Sequence, residues 1–267
     1  MGDSKIEKTK DLRNFEHKEY IEVDSTGWHL KPNAPENVKK RFREYMEHID
    51  KGKRDVYFGK NYDSKRRFLS YWHQIEEARK IKPESSLEIG VGNKFTSDYL
   101  KKRDFNITTL DHNPHLKPDT VGSVLNIPFK RNAFELVMCY EVLEHMPFDK
   151  FRTALGEIKR VSKKYALISL PEKNKIYFLN LRLPILGKIE KQIEISLPEF
   201  LKSEVSEPDY VRGHYWEIGK KDHSLEEIKR VIREVGFSIK KTYTPIENPK
   251  HRFFVLKNVK NNERKNQ

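Results

Sequence analysis

The chain carries one cysteine, Cys139, in 267 residues. That excludes an internal disulfide and any metal site built on several thiolates. Cys139 lies inside an apolar run, so its default role is that of a small core residue. No stretch of ~20 apolar residues occurs, so nothing is expected to span a membrane. Met1 to Lys10 is charged and lacks an apolar h-region, which argues against a secretory signal. Acids are in short supply: 40 Asp and Glu face 53 Lys and Arg, for a net charge of +13. A basic surface of this kind suits nucleic acid, an anionic membrane or an acidic substrate, and it equally suits a soluble protein from a lysine-rich proteome. No helix-turn-helix, zinc-finger or RNA-recognition signature accompanies it. The expectation is a cytoplasmic enzyme.

What is present is a 36% hydrophobic content, enough for one large α/β domain with additions. The most informative stretch is Ser85-Ser86-Leu87-Glu88-Ile89-Gly90-Val91-Gly92-Asn93. Leu87 to Ile89 read as a short buried strand, and Thr96 to Lys102 as the helix after the turn. Glycines at such a turn allow a sharp bend and a close ligand approach. In the dinucleotide pattern G-x-G-x-x-G the third glycine position is here Phe95, and an acid, Glu88, stands two residues before the first. That acid disfavours an anion and favours a cationic cofactor, so a nicotinamide dinucleotide fits poorly. About 20 residues on, Ile107 to Leu110 form a second strand ending in Asp111, an acid placed for two ribose hydroxyls.

With strand, E-x-G-x-G, helix, strand and Asp in that order, the sequence resembles the class I S-adenosylmethionine-dependent methyltransferases. Phe134 to His145, ending in Glu141-Val142-Leu143-Glu144-His145, is similar to that family's fourth strand and its exit. Val121 to Phe129 is similar to the loop that packs on adenine, with Ser123 where the family usually has an acid. The resemblance is close over Leu87 to Pro171. It implies an α/β fold: a Rossmann-like seven-stranded, mostly parallel sheet with helices on both faces and a reversed last strand, plus N-terminal helices and an insertion after the fifth strand. It also implies S-adenosylmethionine as cofactor, with Glu88, Gly90, Gly92, Asp111, His112, Ser123, Val124, Tyr140 and Tyr71 as candidate contacts. No N-P-P-Y or D-P-P-Y follows the fourth strand, which lowers the case for methylating nucleobase amino groups.

The remaining chain divides as 1–63, an N-terminal arm and helix; 64–258, the methyltransferase domain; and 259–267, a basic tail. Met1 to Lys31 has no firm period and reads as a loose arm. Pro35, then Val38, Phe42, Tyr45, Met46 and Ile49, predict an amphipathic helix. Ser64 caps a second helix, Lys65 to Ile81, with Phe68, Trp72, Ile75 and Ala78 expected inward. Asp119 to Val124 predict a short third strand, Phe151 to Val161 a helix and Tyr165 to Leu170 a fifth strand.

Residues 173–211 are too long for a simple crossover and read as an insertion or lid over the acceptor. Peripheral membrane contact through Lys173 to Lys191 is the lesser reading. Gly213-His214-Tyr215-Trp216-Glu217-Ile218-Gly219 concentrates functional side chains before the capping box Ser224 to Glu227. His145 and His214 are candidate bases, Glu217 a candidate orienter of His214 or the substrate, and Trp216 a pocket wall. Glu144 and His145 are expected to point apart. No metal cluster is visible in the sequence, so metal-independent methyl transfer to a small-molecule or glycan- or lipid-linked acceptor is expected. The alternative is an RNA-directed methyltransferase or a nucleic-acid-binding protein with a basic surface.

Overall fold

The computed structural model describes residues 17–24, 27–59, 62–173, 175–183, 187–195 and 213–259. Most of the arm expected at the N-terminus, and the tail after Val259, lie outside the described residues. The described residues open on a 3-10 turn, Lys18–Tyr20, and a two-stranded antiparallel ribbon, β1 (Ile21–Asp24) and β2 (Gly27–Leu30), in register Ile21 to Leu30 and Asp24 to Gly27. Over β1 and β2 this corrects the expectation of a loose arm. Strands of four residues are too short for their alternation to stand out from a charged background.

Helix α1 (Glu36–Tyr57) follows, longer than its apolar stripe indicated. Ala34 and Val38 are buried, with Phe42, Met46, Tyr20 and Leu30 packed against them. Helix α2 (Lys65–Ile81) starts where expected: Ser64 Oγ accepts the Arg67 backbone N–H at 3.3 Å, closing one of the open donors of the first turn. Its buried stripe is Ser70, Tyr71, Gln74, Ile75, Glu77 and Ala78. Phe68 and Trp72 stay largely exposed, contrary to expectation. The helix is rotated so that Gln74 comes inside, where its side-chain oxygen accepts the Thr96 hydroxyl at 2.6 Å.

The sheet is built from β3 (Ser86–Ile89), β4 (Ile107–Asp111), β5 (Thr120–Val121), β6 (Phe134–Tyr140), β7 (Ser162–Pro171), β10 (Phe237–Tyr243) and β11 (His251–Asn258). Helix α3 (Phe95–Lys101) follows β3, α4 (Phe151–Val161) follows β6, and α5 (Leu225–Val235) precedes β10. The insertion after β7 holds a hairpin of β8 (Lys175–Leu183) and β9 (Gly187–Ile195); the rest of that insertion, 196–212, lies outside the described residues.

Strand order is β10-β11-β7-β6-β3-β4-β5. The pairs from β7 to β5 are parallel, and β11 runs antiparallel to both β7 and β10. The expected third strand shrinks to two residues, because Asp119 instead binds the backbone N–H and hydroxyl of Thr109 at 2.8 and 2.9 Å.

Both faces of the sheet are covered. On one, Leu87, Ile89, Val137, Cys139 and Ile168 pack against Leu155 and Ile158 of α4 and Ile228 and Ile232 of α5. On the other, Leu136, Met138 and Tyr140 pack against Tyr71, Ile75 and Ala78 of α2 and Leu100 of α3. All seven residues of β6 are buried, which is why that strand reads as a nearly continuous apolar run and not as an alternation. This two-sided cover leaves the C-terminal strand ends, where parallel α/β sheets bind ligands, as the place for a site. Among the described residues no helix is long and apolar enough to cross a membrane.

Candidate active site

Three chain segments meet at the C-terminal ends of β3, β4 and β6. The first is the glycine turn. Gly90 has φ +79°, and a Cβ there would stand 2.2 Å from Val142 Cγ2, so the turn and the E-V-L-E-H segment approach at a distance only glycine permits. Gly92 has φ +51°, and its Cα side faces the rings of Tyr57 and Tyr62. Asn93 fixes the exit from the turn. Its Oδ1 accepts the Tyr71 hydroxyl and the Phe95 N–H, both at 3.1 Å, and its Nδ2 donates to Asp63 at 3.0 Å. Phe95, in the third glycine position, stacks on Tyr71 with ring centres 4.6 Å apart.

Glu88 lies beneath this turn, buried, with Oε2 lacking a hydrogen-bond partner among the described residues. Burial pushes its carboxyl up to about 7; the Ser97 hydroxyl opposes that rise, and the charges of Asp98 and Asp111 add to it. Asp111 is buried at the end of β4 and bonds backbone on both sides: Oδ2 accepts the Val91 N–H and Oδ1 the Asn113 N–H, each at 2.9 Å. His112 is solvent-facing, with Nδ1 3.4 Å from Asp111 Oδ1.

The other cofactor candidates lie around this centre in different states. Ser123 Oγ accepts the Leu125 N–H at 3.2 Å, closing its own loop. The Val124 side chain is part of the core. Tyr140 is buried with its hydroxyl 3.4 Å from the Gln74 carbonyl on α2.

The second and third segments form a cluster of imidazoles and carboxylates. Glu141 sits at φ +53°, a left-handed conformation costly for a side-chain-bearing residue. Its Oε1 accepts the Ser169 hydroxyl at 2.8 Å, and Oε2 lies 3.4 Å from His251 Nε2. Burial lowers the His251 ring's proton affinity, against the pull of Glu141.

Residues Leu143–His145 make a single 3-10 turn. Glu144 is fully buried, and neither carboxylate oxygen has a hydrogen-bond partner among the described residues. Burial, with the charges of Glu141 and Glu217, drives its carboxyl well above the ordinary range.

The run 213–219 is drawn in against this turn. Tyr215 donates its backbone N–H to the Glu144 carbonyl at 2.8 Å, and the Trp216 indole N–H donates to the Met146 carbonyl at 3.1 Å. Trp216 is 1% exposed and packs on Phe148 and Phe151. It is a core anchor, not the pocket wall expected from sequence; so large an apolar ring lowers the free energy most when wholly removed from water.

The anchoring brings His214 between two carboxylates. Its Nδ1 is 2.8 Å from Glu217 Oε1, and its Nε2 is 3.9 Å from Glu144 Oε1. Burial works against the Glu217 charge, yet the His214 hydrogen bond and nearby Lys173 hold its carboxyl below the ordinary range. His145 Nδ1 lies 2.9 Å from the Gly213 carbonyl, and its Nε2 is 4.0 Å from Glu144 Oε1. Glu144 and His145 therefore converge instead of pointing apart, the His145 ring being held by the Gly213 carbonyl with its Nε2 toward Glu144.

The catalytic candidates His145, His214 and Glu217 are thus brought together, across a gap of nearly seventy residues in the chain. Tyr57, Tyr62, Asn93, Glu141 and His251 escaped sequence reading as site residues. Only Glu141 carried a signal, as the first letter of its motif.

Comparison with known proteins bears on the fold. Residues 87–170 match a family described as a methyltransferase domain. A stretch of 84 residues is 37% identical to an uncharacterized protein of Methanocaldococcus jannaschii; the match covers 29% of this chain and 35% of that protein, so only about a third of the relative's length is spanned. Among solved structures, the 1,6-didemethyltoxoflavin-N1-methyltransferase of Burkholderia thailandensis, with 1,6-didemethyltoxoflavin and S-adenosylhomocysteine bound, superposes with a TM-score of 0.50 at 12% identity, over 90% of this chain and 95% of that one. The magnesium protoporphyrin IX methyltransferase of Synechocystis PCC 6803, with bound S-adenosylhomocysteine, gives 0.51 at 12% identity, over 83% and 100%. Residues 87–170 thus carry the match to a methyltransferase domain, set in a fold shared with these two methyltransferases. Outside residues 87–170 lie the N-terminal ribbon, α1, α2 and the hairpin after β7.

Proposed function

We propose that this chain is an S-adenosylmethionine-dependent methyltransferase that methylates an oxygen or nitrogen of a small-molecule or glycan- or lipid-linked acceptor. The observation that carries the reading is the buried Glu88 carboxylate, with one oxygen unpartnered among the described residues, under a turn that only glycine can make. An orphaned buried carboxylate is costly, and a positively charged sulfonium nearby would relieve it. The bound S-adenosylhomocysteine of the two superposed enzymes supports the same reading.

When bound, the cofactor supplies a methyl group already activated by its sulfonium. The protein's tasks are alignment and exclusion of water. Asp111, rigid between two backbone N–H groups, offers its remaining lone pairs to a ribose diol. Tyr57 and Tyr62, packed edge to face 5.1 Å apart, cover Gly92 and close the turn from the α1 side. The acceptor side is the segment that touches Gly90 through Val142, and it holds Glu144, His145, His214 and Glu217. Calorimetry with S-adenosylhomocysteine should show micromolar-range binding; tight binding of NADH with none of S-adenosylhomocysteine would reverse the cofactor assignment.

The +13 net charge favours one second reading, an RNA acceptor. Retention of nonspecific RNA at physiological salt would support it, because purely electrostatic association weakens steeply there.

A further inference from the structure

We propose that Glu144, His145 and His214 form a binding site for one divalent transition-metal ion of the zinc class. Each offers one ligand atom, and the three atoms lie within 4.8 Å of one another. Two observations separate this cluster from an ordinary polar contact.

Glu144 is fully buried with both carboxylate oxygens unpartnered among the described residues. Burying a carboxylate without a well-formed hydrogen bond is costly, and its own backbone N–H and the charge of Arg67 offset that only in part. A cation held at the Glu144 oxygens would stabilise this arrangement.

The second observation is the state of the imidazoles. His214 Nδ1 faces the Glu217 carboxylate at 2.8 Å, and His145 Nδ1 faces the Gly213 carbonyl at 2.9 Å. Both acceptors require an N–H at Nδ1, which puts the lone pair of each neutral ring on Nε2. Those Nε2 atoms stand 3.9 and 4.0 Å from the same oxygen, Glu144 Oε1. The spacing is too long for hydrogen bonds. It is wider by somewhat under 1 Å than the roughly 3.0–3.4 Å separating ligand atoms on a metal with ~2.1 Å bonds. A carboxylate or carbonyl behind each ligating imidazole is the usual outer support of a metal site.

Two imidazoles and one carboxylate select a first-row transition ion, not the all-oxygen set that calcium or magnesium prefers. Three protein ligands leave a coordination position open. His145, 42% exposed, is the solvent-facing member of the three. This departs from the metal-free expectation drawn from sequence, where the three residues are too scattered to show ligand spacing.

The role of the ion, though not its binding, rests on the methyltransferase reading. Glu144 is two residues from Val142, which touches Gly90, so the ion would sit on the acceptor side of the turn and hold an acceptor oxygen.

The test is spectroscopic and needs neither cofactor nor acceptor. Chelator-stripped protein is titrated with Co(II), the visible d–d band is read, and Zn(II) is added as competitor. The expected result is one Co(II) per chain, displaced by Zn(II). Affinity should fall at least about tenfold in His214→Ala and Glu144→Gln, each checked for a wild-type melting profile. If Glu144→Gln fails to fold, half-exposed His145→Ala replaces it with the same expectation. Absence of the band, or a band of unchanged affinity in His214→Ala, overturns the site. S-adenosylhomocysteine calorimetry on the same stripped protein is a separate readout, so failure of the metal site and failure of the cofactor reading are told apart.

Discussion

Asp111 Oδ2 accepts the backbone N–H of Val91 at 2.9 Å, tying the end of β4 to the middle of the glycine turn. The same carboxylate holds the Asn113 N–H through its other oxygen. Its position at a strand tip suggested a ribose acid; the structure gives it a second task, bracing the turn. Asp111→Ala should therefore do two things. S-adenosylhomocysteine affinity should fall more than tenfold by calorimetry. Stability should fall by about 2–4 kcal/mol in urea titration, as two buried N–H groups lose their acceptor. An unchanged affinity with reduced stability would leave Asp111 with the bracing task alone.

Gly90 is the position where sequence tolerance should be least. Alanine there must hold φ +79° and place its Cβ 2.2 Å from Val142 Cγ2. A loss of about 2 kcal/mol or more is expected. Val142→Ala should return part of it, and a double-mutant cycle measures the coupling. Additive losses would mean that backbone conformation, not the contact, sets the cost.

Glu88 makes stability depend on pH with a sign opposite to that of a salt-bridged acid. Its carboxyl is raised from 4.5 to about 7, so the folded state holds the proton more tightly than the unfolded chain. That contribution is fully present below pH 4.5 and is lost as pH rises through 7. The gap corresponds to about 3 kcal/mol. Glu88→Gln should melt higher than wild type at pH 8 and alike at pH 4. It should also bind the cationic cofactor less tightly at pH 8. A variant no more stable at pH 8 would show that Glu88 ionises without penalty.

His214→Ala removes the bridge between Glu217 and Glu144. S-adenosylhomocysteine binding should persist, while turnover with an acceptor found by screening for S-adenosylhomocysteine release should drop by about 10²-fold or more. Full turnover would take His214 out of the reaction.

Much of the architecture is readable along the chain because its signals are local. The strand Phe134 to Tyr140 is buried on both faces and so is uniformly apolar. Ser64 and Ser224 mark helix starts by hydrogen bonds three residues long. Gly90 and Gly92 announce a turn whose φ values other residues resist. The acceptor side is different. His214 meets Glu144 only because Trp216 is buried against Phe148 and Phe151 and Tyr215 bonds the Glu144 carbonyl. Tyr57 reaches Gly92 only because α1 runs eight residues past its visible apolar stripe.

The sequence by itself determined the order of the strands' chemistry: an acid, a glycine bend and a second acid at fixed short spacing, since each acts through its own backbone neighbours. Only the tertiary structure decided that a fully buried Glu144 faces two oriented imidazoles. That convergence depends on packing between segments far apart in the chain, and no local period records it.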